Sequence, residues 1–191
     1  MMDRSQRMVW VDLEMTGLDE SSCAIVEIAT IVTEPDLTVV AEGPCLVIHQ
    51  PEDVLATMSD FVRDLHARSG LLERIRASTL SVRDAESETR VFLGAHCDEG
   101  TAVLCGNSVW KDRAFLQRYM PELLSFLHYR IVDVSTLKEL VRRWYPGSSA
   151  PRKREIHRAL DDIRESIEEL RWYRANVFRP LPGQPGQAPG A

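Results

Sequence analysis

Asp12 and Glu14 stand two residues apart in a run that is otherwise apolar: Val9, Trp10, Val11, Leu13 and Met15. Residues 8–13 read as a buried strand. In a strand, side chains at i and i+2 leave the backbone on the same face. Two carboxylates on one buried face repel each other and resist loss of water. Few chains tolerate that without compensation. Either the pair sits at the strand's exposed end, ahead of a turn at Thr16 and Gly17, or a hard divalent cation with oxygen ligands neutralises it. On this pair alone both readings stand.

Around that strand the pattern is α/β. Residues 24–33 and 37–49 read as two more strands, the second interrupted at Gly43 and Pro44. The turn at Glu34, Pro35 and Asp36 makes them a hairpin. Helical spacing follows over 59–67, 71–77 and 82–96, with Gly70 as punctuation. A short strand at 102–105 leads to a helix over 112–127. Another strand at 131–134 leads, with Ser135 and Thr136 as caps, to a helix over 137–144. A last helix runs from about 159 to 177, with Leu160, Ile163, Ile167 and Leu170 as its core-facing stripe. Strands first, then strand–helix alternation, predicts a mixed sheet flanked by helices in one domain over residues 1–179. Beyond Arg179, four prolines alternate with three glycines, a composition that predicts a disordered tail over 180–191.

Two further sets of acids fall where helices begin. Asp112 lies near a helix start, where the helix dipole alone would favour it. Asp162 follows His157 by five residues. On one continuous helix these two would point about 140° apart. If both serve one centre, His157 lies in the loop before the helix and Asp162 in its first turn. Taken singly, each group has an ordinary explanation as a solvated loop histidine or first-turn acid. Together they are four acids and a histidine placed where strands end and helices start, positions that can converge beside one sheet. Several carboxylates can hold two divalent ions for phosphoryl transfer, and a neutral histidine can take a proton from water near pH 7.

Bulk properties narrow the chemistry. The 191 residues carry a net charge of −6. That disfavours a general binder of long nucleic acid, whose affinity comes from many cations on phosphates. Cys23, Cys45, Cys97 and Cys105 form no Cys-x-x-Cys pair, so free thiols in a reducing cytoplasm are expected. No apolar run is long enough for a signal or a membrane span. There is no His-Glu-x-x-His and no Gly-x-Ser-x-Gly.

The residues around the acids also resemble a known family. Asp12-x-Glu14-Met15-Thr16-Gly17-Leu18, the segment from Asn107 through Asp112 to Leu116, and His157-x-Ala159-Leu160-x-Asp162 resemble the three motifs of the DEDDh exonuclease superfamily. Within it, Trp10 to Leu18 and His128-Tyr129-Arg130-x-x-Asp133-Val134-Ser135-Thr136 are similar to oligoribonucleases. The resemblance spans roughly residues 8–178.

It implies a ribonuclease-H-like fold, a homodimer, and 3′→5′ removal of 5′-mononucleotides from short RNA, dinucleotides above all. It implies Asp12, Glu14, Asp112 and Asp162 as ligands of two Mg²⁺ or Mn²⁺ ions, His157 as general base and Tyr129 in the active site. Leu18 matches a base wedge. Phe61 stands where the family often has tryptophan, keeping a stacking face but no indole N–H. Ser108, Arg130 and Ser135 resemble a cap over the 5′ phosphate, with His66 reaching in from the partner subunit. Without the resemblance, Ser135 reads as a helix cap, Arg130 as surface charge and His66 as a solvated helix face. A dinucleotide needs no basic groove, which agrees with the acidic balance. The rival expectations are a relative acting on tRNA 3′ ends or DNA, and a non-catalytic RNA-binding protein of the same fold.

Overall fold

The computed structural model describes residues 3–148 and 158–179. Five strands form one sheet in the order β3-β2-β1-β4-β5. β1 (Met8–Met15), β2 (Ile25–Thr33) and β3 (Val39–Val47) make an antiparallel meander. β4 (Val103–Gly106) and β5 (His128–Asp133) add in parallel on the other side of β1. The sheet is therefore mixed, as the strand and helix pattern predicts. β1 is central, and β2 beside it is buried along its whole length.

Each face of β1 packs a different layer. Val9, Val11 and Leu13 face a core shared with Leu93, Phe115, Leu116, Met120 and Leu123. Those residues come from α4 (Val82–His96), α5 (Val109–Tyr119), α6 (Pro121–Phe126) and, in Met120, the junction between the last two. Trp10 faces the other way, with Ala29 and Ile31, against Ile163, Ile167 and Tyr173 of α8 (Ala159–Asn176). Its indole N–H donates to Thr33 Oγ1 at 3.0 Å, so the buried ring keeps no lone donor. Asp12 and Glu14, in step with Trp10, continue this second face toward the strand's end. A third cluster joins Val26 to α1 (Glu52–Leu55) and α3 (Leu71–Ala77), and Val62 of α2 (Asp60–Arg68) packs against it.

The structure corrects four boundaries. β1 runs on to Met15, two residues beyond the predicted end. β3 is not interrupted at Gly43 and Pro44: Ala29 pairs with Cys45 and Ile31 with Glu42, so both residues sit opposite Thr30 as a bulge. A bulge accommodates a proline without an N–H, and Gly43 leaves room for the Phe92 ring, which an added Cβ would approach to 2.6 Å. The helix predicted over 112–127 is two, broken at Met120 and Pro121. Pro121 has no N–H to donate backward and starts α6 instead. The helix predicted over 137–144 is α7 (Val134–Trp144), and Asp133, not Ser135 or Thr136, caps it. The proposed tail at 180–191 lies outside the described residues.

The break at Pro121 is held by a buried acid. Glu86 of α4 is 8% exposed, and its Oε1 accepts from the N–H groups of Glu122 at 2.7 Å and Leu123 at 3.0 Å. Glu86→Ala strands both donors, so urea unfolding should show a loss of about 1–3 kcal/mol. Because this contact lies on the face away from Asp12 and Glu14, activity per folded molecule should not change.

Candidate metal centre

The end of β1 gathers acids from three elements. Carboxylate oxygens of Asp12, Glu14 and Asp162 all lie within 4.8 Å of one another. Asp12 and Glu14 come from the strand and Asp162 from the first turn of α8. Arg158 is extended (φ −129°, ψ 125°) and the helix starts at Ala159, as the spacing argument requires. His157 itself lies outside the described residues, as does the basic run 152–154.

Asp112 approaches from the opposite edge of the strand. β1 and β4 pair only as far as Trp10 and Cys105, because the chain leaves the sheet after Gly106. The Leu13 N–H is satisfied by Asp112, whose Oδ1 accepts from it at 3.0 Å. The carboxylate thus takes the place of a missing ladder partner and is fixed beside Leu13, between the two acids of β1. Gly106 permits the approach: a Cβ there would meet Val11 O and the Val109 side chain at 3.1 Å.

Electrostatics give this cluster its character. Burial pushes the Glu14 carboxyl up to about 8, and the charges of Asp162, Glu27 and Asp112 add to the effect. Burial also raises Asp112, against the opposing hydrogen bond from Leu13. Bare carboxylates this close and this dry retain protons unless a cation replaces them. Oxygen-only donors converging within a few ångströms suit a hard divalent ion, so the residues present fit such a metal.

Two acids to which the sequence assigned no role belong to this neighbourhood. Glu27 pairs with Glu14 across the β1–β2 ladder and is 1% exposed. It is balanced by Arg74 at 3.1 Å and accepts from the Cys45 thiol at 3.5 Å. Its signal was the same as that of Asp12 and Glu14, a carboxylate inside an apolar strand. Asp133 caps α7, and its Oδ1 accepts from Ser108 N (2.9 Å), Ser135 N (3.0 Å) and Ser135 Oγ (2.6 Å). One carboxylate therefore ties the starts of α5 and α7 together. Ser108 adopts a left-handed conformation (φ 52°) to reach it.

The remaining predicted residues fall into two groups. Ser108 and Ser135 are brought together, their hydroxyls 3.5 Å apart. Leu18 and Phe61 are both 72% exposed, large apolar side chains facing solvent. The Leu18 loop is latched to α5: Lys111 Nζ meets Glu20 at 3.0 Å, and the Tyr119 hydroxyl donates to Cys23 O at 2.6 Å. Tyr129, on β5, is 70% exposed, and its ring contacts His128 and the Arg130 guanidinium.

His66 differs from expectation. It is 2% exposed, so it is not a solvated helix face. Nε2 sits 2.9 Å from Met15 O, and because a carbonyl only accepts, Nε2 carries the hydrogen. Nδ1 is 4.0 Å from Glu14 Oε2. The reason is helix geometry. Val62, four residues earlier on the same face, packs on the core cluster around Leu71 and Ile75, which turns His66 inward.

Comparison with known proteins then places the chain. A family described as exonuclease, of the RNase T type, matches residues 9–170. An oligoribonuclease of Hahella chejuensis is 51% identical over 179 residues, 93% of this chain and 98% of that one. The chain belongs to the oligoribonuclease family. An oligoribonuclease of Shewanella loihica is 53% identical over 90% of this chain and 96% of its own. The human mitochondrial oligoribonuclease is 51% identical over 92% of this chain and 75% of its own. Among solved structures, Escherichia coli exonuclease I in complex with an oligonucleotide superposes with a TM-score of 0.70 at 13% identity. The match covers 90% of this chain and 41% of that one, so this chain spans about two-fifths of exonuclease I. That likeness fixes the fold as ribonuclease-H-like.

Oligoribonuclease-family chains of the exonuclease type depend on divalent metal, and the acid cluster sets how pH enters. Glu14 has a folded value near 8, raised from 4.5, so the metal-free native state holds more protons than the unfolded chain between those limits. Its stability should fall as pH rises through that window. A divalent ion binds the charged carboxylates and reverses the trend. The gain in melting temperature on adding Mn²⁺ should therefore be larger at pH 8 than at pH 6. A gain that shrinks with rising pH in a fluorimetric melt would contradict this assignment.

Proposed function

We propose that the chain is a 3′→5′ exoribonuclease that degrades short oligoribonucleotides, dinucleotides above all, to 5′-mononucleotides. The observation that carries the reading is the convergence of Asp12, Glu14 and Asp162 oxygens within 4.8 Å, beside Asp112, in a chain with oligoribonuclease sequence over its length. In this proposal the four acids hold two Mg²⁺ or Mn²⁺ ions. When bound, the ions supply Lewis-acid stabilisation of charge on the attacked phosphate and on the departing 3′ oxygen.

The chain's own residues do the rest. His157, five residues before Asp162, takes the proton from the attacking water. The P–O3′ bond breaks in line, and the released nucleotide keeps the phosphate. Asp112 is held by the Leu13 N–H, so it needs no reorganisation as charge develops. The exposed faces of Leu18 and Phe61 are suited to grip a base. Ser108 and Ser135, joined through Asp133, would cap a short substrate's 5′ phosphate, with Arg130 as its cation. His66 reaches the site of its own chain through its contact with Glu14.

A homodimer is part of the proposal. Tyr129 and Ile131 on the edge strand β5, with Trp144 and Tyr145 at the end of α7, leave large apolar side chains 37–70% exposed. A second copy covering them would bring Tyr129 toward an active site. Light scattering should give twice the chain mass of 21.7 kDa. Among the described residues no helix is long and apolar enough to cross a membrane. The four free thiols favour a reducing compartment, and the cytoplasm is proposed.

Time courses on labelled RNAs from the dinucleotide to a twenty-mer, with matched DNA, test the reading. The dinucleotide should be consumed fastest. Preferential attack on long RNA, tRNA ends or DNA would favour a different exonuclease of the superfamily. Asp12→Ala and Asp162→Ala should each lower kcat by about 10²–10³-fold or more, with the fold retained by circular dichroism. Full activity in either would remove the metal centre from the mechanism, and inactivity of the wild type with added metal would favour a binding protein.

A further inference from the structure

Behind the metal centre, α8 carries a second stripe. Asp162, Ser166, Glu169 and Tyr173 recur at +4, +7 and +11, which places them within about 60° on one side of the helix. This stripe is polar, beside the apolar one of Ile163 and Ile167. It faces the loop between β4 and α5, and α7 beyond it.

The contacts along this stripe form a chain. The Ser166 hydroxyl donates to the backbone oxygen of Asp162 at 2.7 Å. Asn107 Nδ2 donates to Ser166 Oγ at 2.8 Å and to Glu169 Oε2 at 3.2 Å. The Tyr173 hydroxyl donates to Glu169 Oε1 at 3.0 Å, and Lys138 Nζ of α7 lies 3.8 Å from the same oxygen. Glu169 is 5% exposed. Asn107 immediately precedes Ser108 and stands five residues before Asp112. One buried carboxylate thus binds the segment that delivers Asp112 to the helix that delivers Asp162.

A purely structural role does not call for such a group. Replacing a buried charge by a packed apolar side chain is often neutral or stabilising, whereas burying one requires several partners. What a carboxylate adds is directionality. Tyr173 on the same helix holds one oxygen in place while the other takes the Asn107 amide, so α8 cannot slide along the β4–α5 loop without breaking the Asn107 hydrogen bond to a charge. Sliding would alter the separation of Asp162 from Asp112 while leaving each element intact.

We propose that Glu169 is a positioning residue of the metal centre, acting through Asn107 and Ser166 to set Asp162 against Asp112. The proposal rests on the reading of Asp12, Glu14, Asp112 and Asp162 as metal ligands. Groups that orient metal-binding side chains from behind typically change affinity by ten- to a hundredfold when removed.

Calorimetric titration of the full chain with Mn²⁺ alone, without RNA, tests it. Glu169→Gln keeps the size and one acceptor but removes the charge. Asn107→Ala leaves Glu169 with Tyr173 and Lys138 and cuts only the link to the β4–α5 loop. Both should weaken Mn²⁺ binding roughly tenfold or more. The metal-free Asn107→Ala protein should stay folded, with its melting temperature lowered by several degrees at most. At saturating Mn²⁺, dinucleotide hydrolysis by Asn107→Ala should show a lowered kcat with KM near the wild-type value. If Glu169→Gln does not fold, Asn107→Ala decides alone. Mn²⁺ affinity within twofold of wild type in the folded variants overturns the proposal, provided an Asp162→Asn control loses binding. If Asp162→Asn itself binds Mn²⁺ normally, the metal-centre reading fails, and the positioning role with it.

Discussion

Repulsion among buried carboxylates at the end of β1 is the constraint around which the structure is arranged. Asp12, Glu14 and Asp162 crowd within 4.8 Å, and Asp112 and Glu27 add their charge from either side. Left to itself, such a cluster would keep protons or push its elements apart. Each acid is instead restrained by contacts remote from the others' charge. Asp112 is pinned to the Leu13 N–H, Glu27 is balanced by Arg74, and Asp162 rides on a helix whose Ile163 and Ile167 are buried under Trp10. The hydrophobic burial of α8 and β1 holds charges together that electrostatics alone would separate. The unrelieved part of that repulsion is the driving force for taking up a cation.

The sheet makes this possible by ending its two halves at different heights. β1 outruns its parallel neighbour β4, leaving backbone N–H groups without a ladder partner on one edge. That gap is filled by a side chain rather than by a strand. The acid cluster therefore draws Asp112 from a register mismatch, Asp12 and Glu14 from the alternation of a single strand, and Asp162 from the first turn of α8. The left-handed Ser108 and the cap at Asp133 then bring the starts of α5 and α7 to the same corner.

Much of this was legible in the sequence, and the rest was hidden for identifiable reasons. Strong periodicity located α3, α4 and α8, and the apolar run with its two acids located β1. The acids could be grouped because their chain order and neighbours resemble a family. Periodicity also misled. The helical pattern runs through Met120 and Pro121, although the proline has no N–H and starts a new helix under the Glu86 carboxylate. Gly43 and Pro44 look like an end of strand, yet a bulge absorbs them. His66 looked like a solvated helix face because one helix cannot reveal which face a neighbouring cluster will claim. Glu169 was missed because a polar residue beside an apolar stripe reads as solvent-facing until a partner such as Asn107, far away in sequence, is seen to meet it.

The order of the strands has a temporal meaning as well as a spatial one. β1, β2 and β3 pair with immediate neighbours in the chain, whereas β4 joins β1 only after the long helical excursion between 52 and 96. Short loops close early and long ones late. The first acids of the cluster lie on the first strand and the last on α8, the last helix among the described residues. A chain still emerging from the ribosome therefore holds the two acids of β1 but lacks the group that completes their cluster. The cluster is complete only when α8 is packed against β1, so its charges meet only in a chain whose two ends have come together.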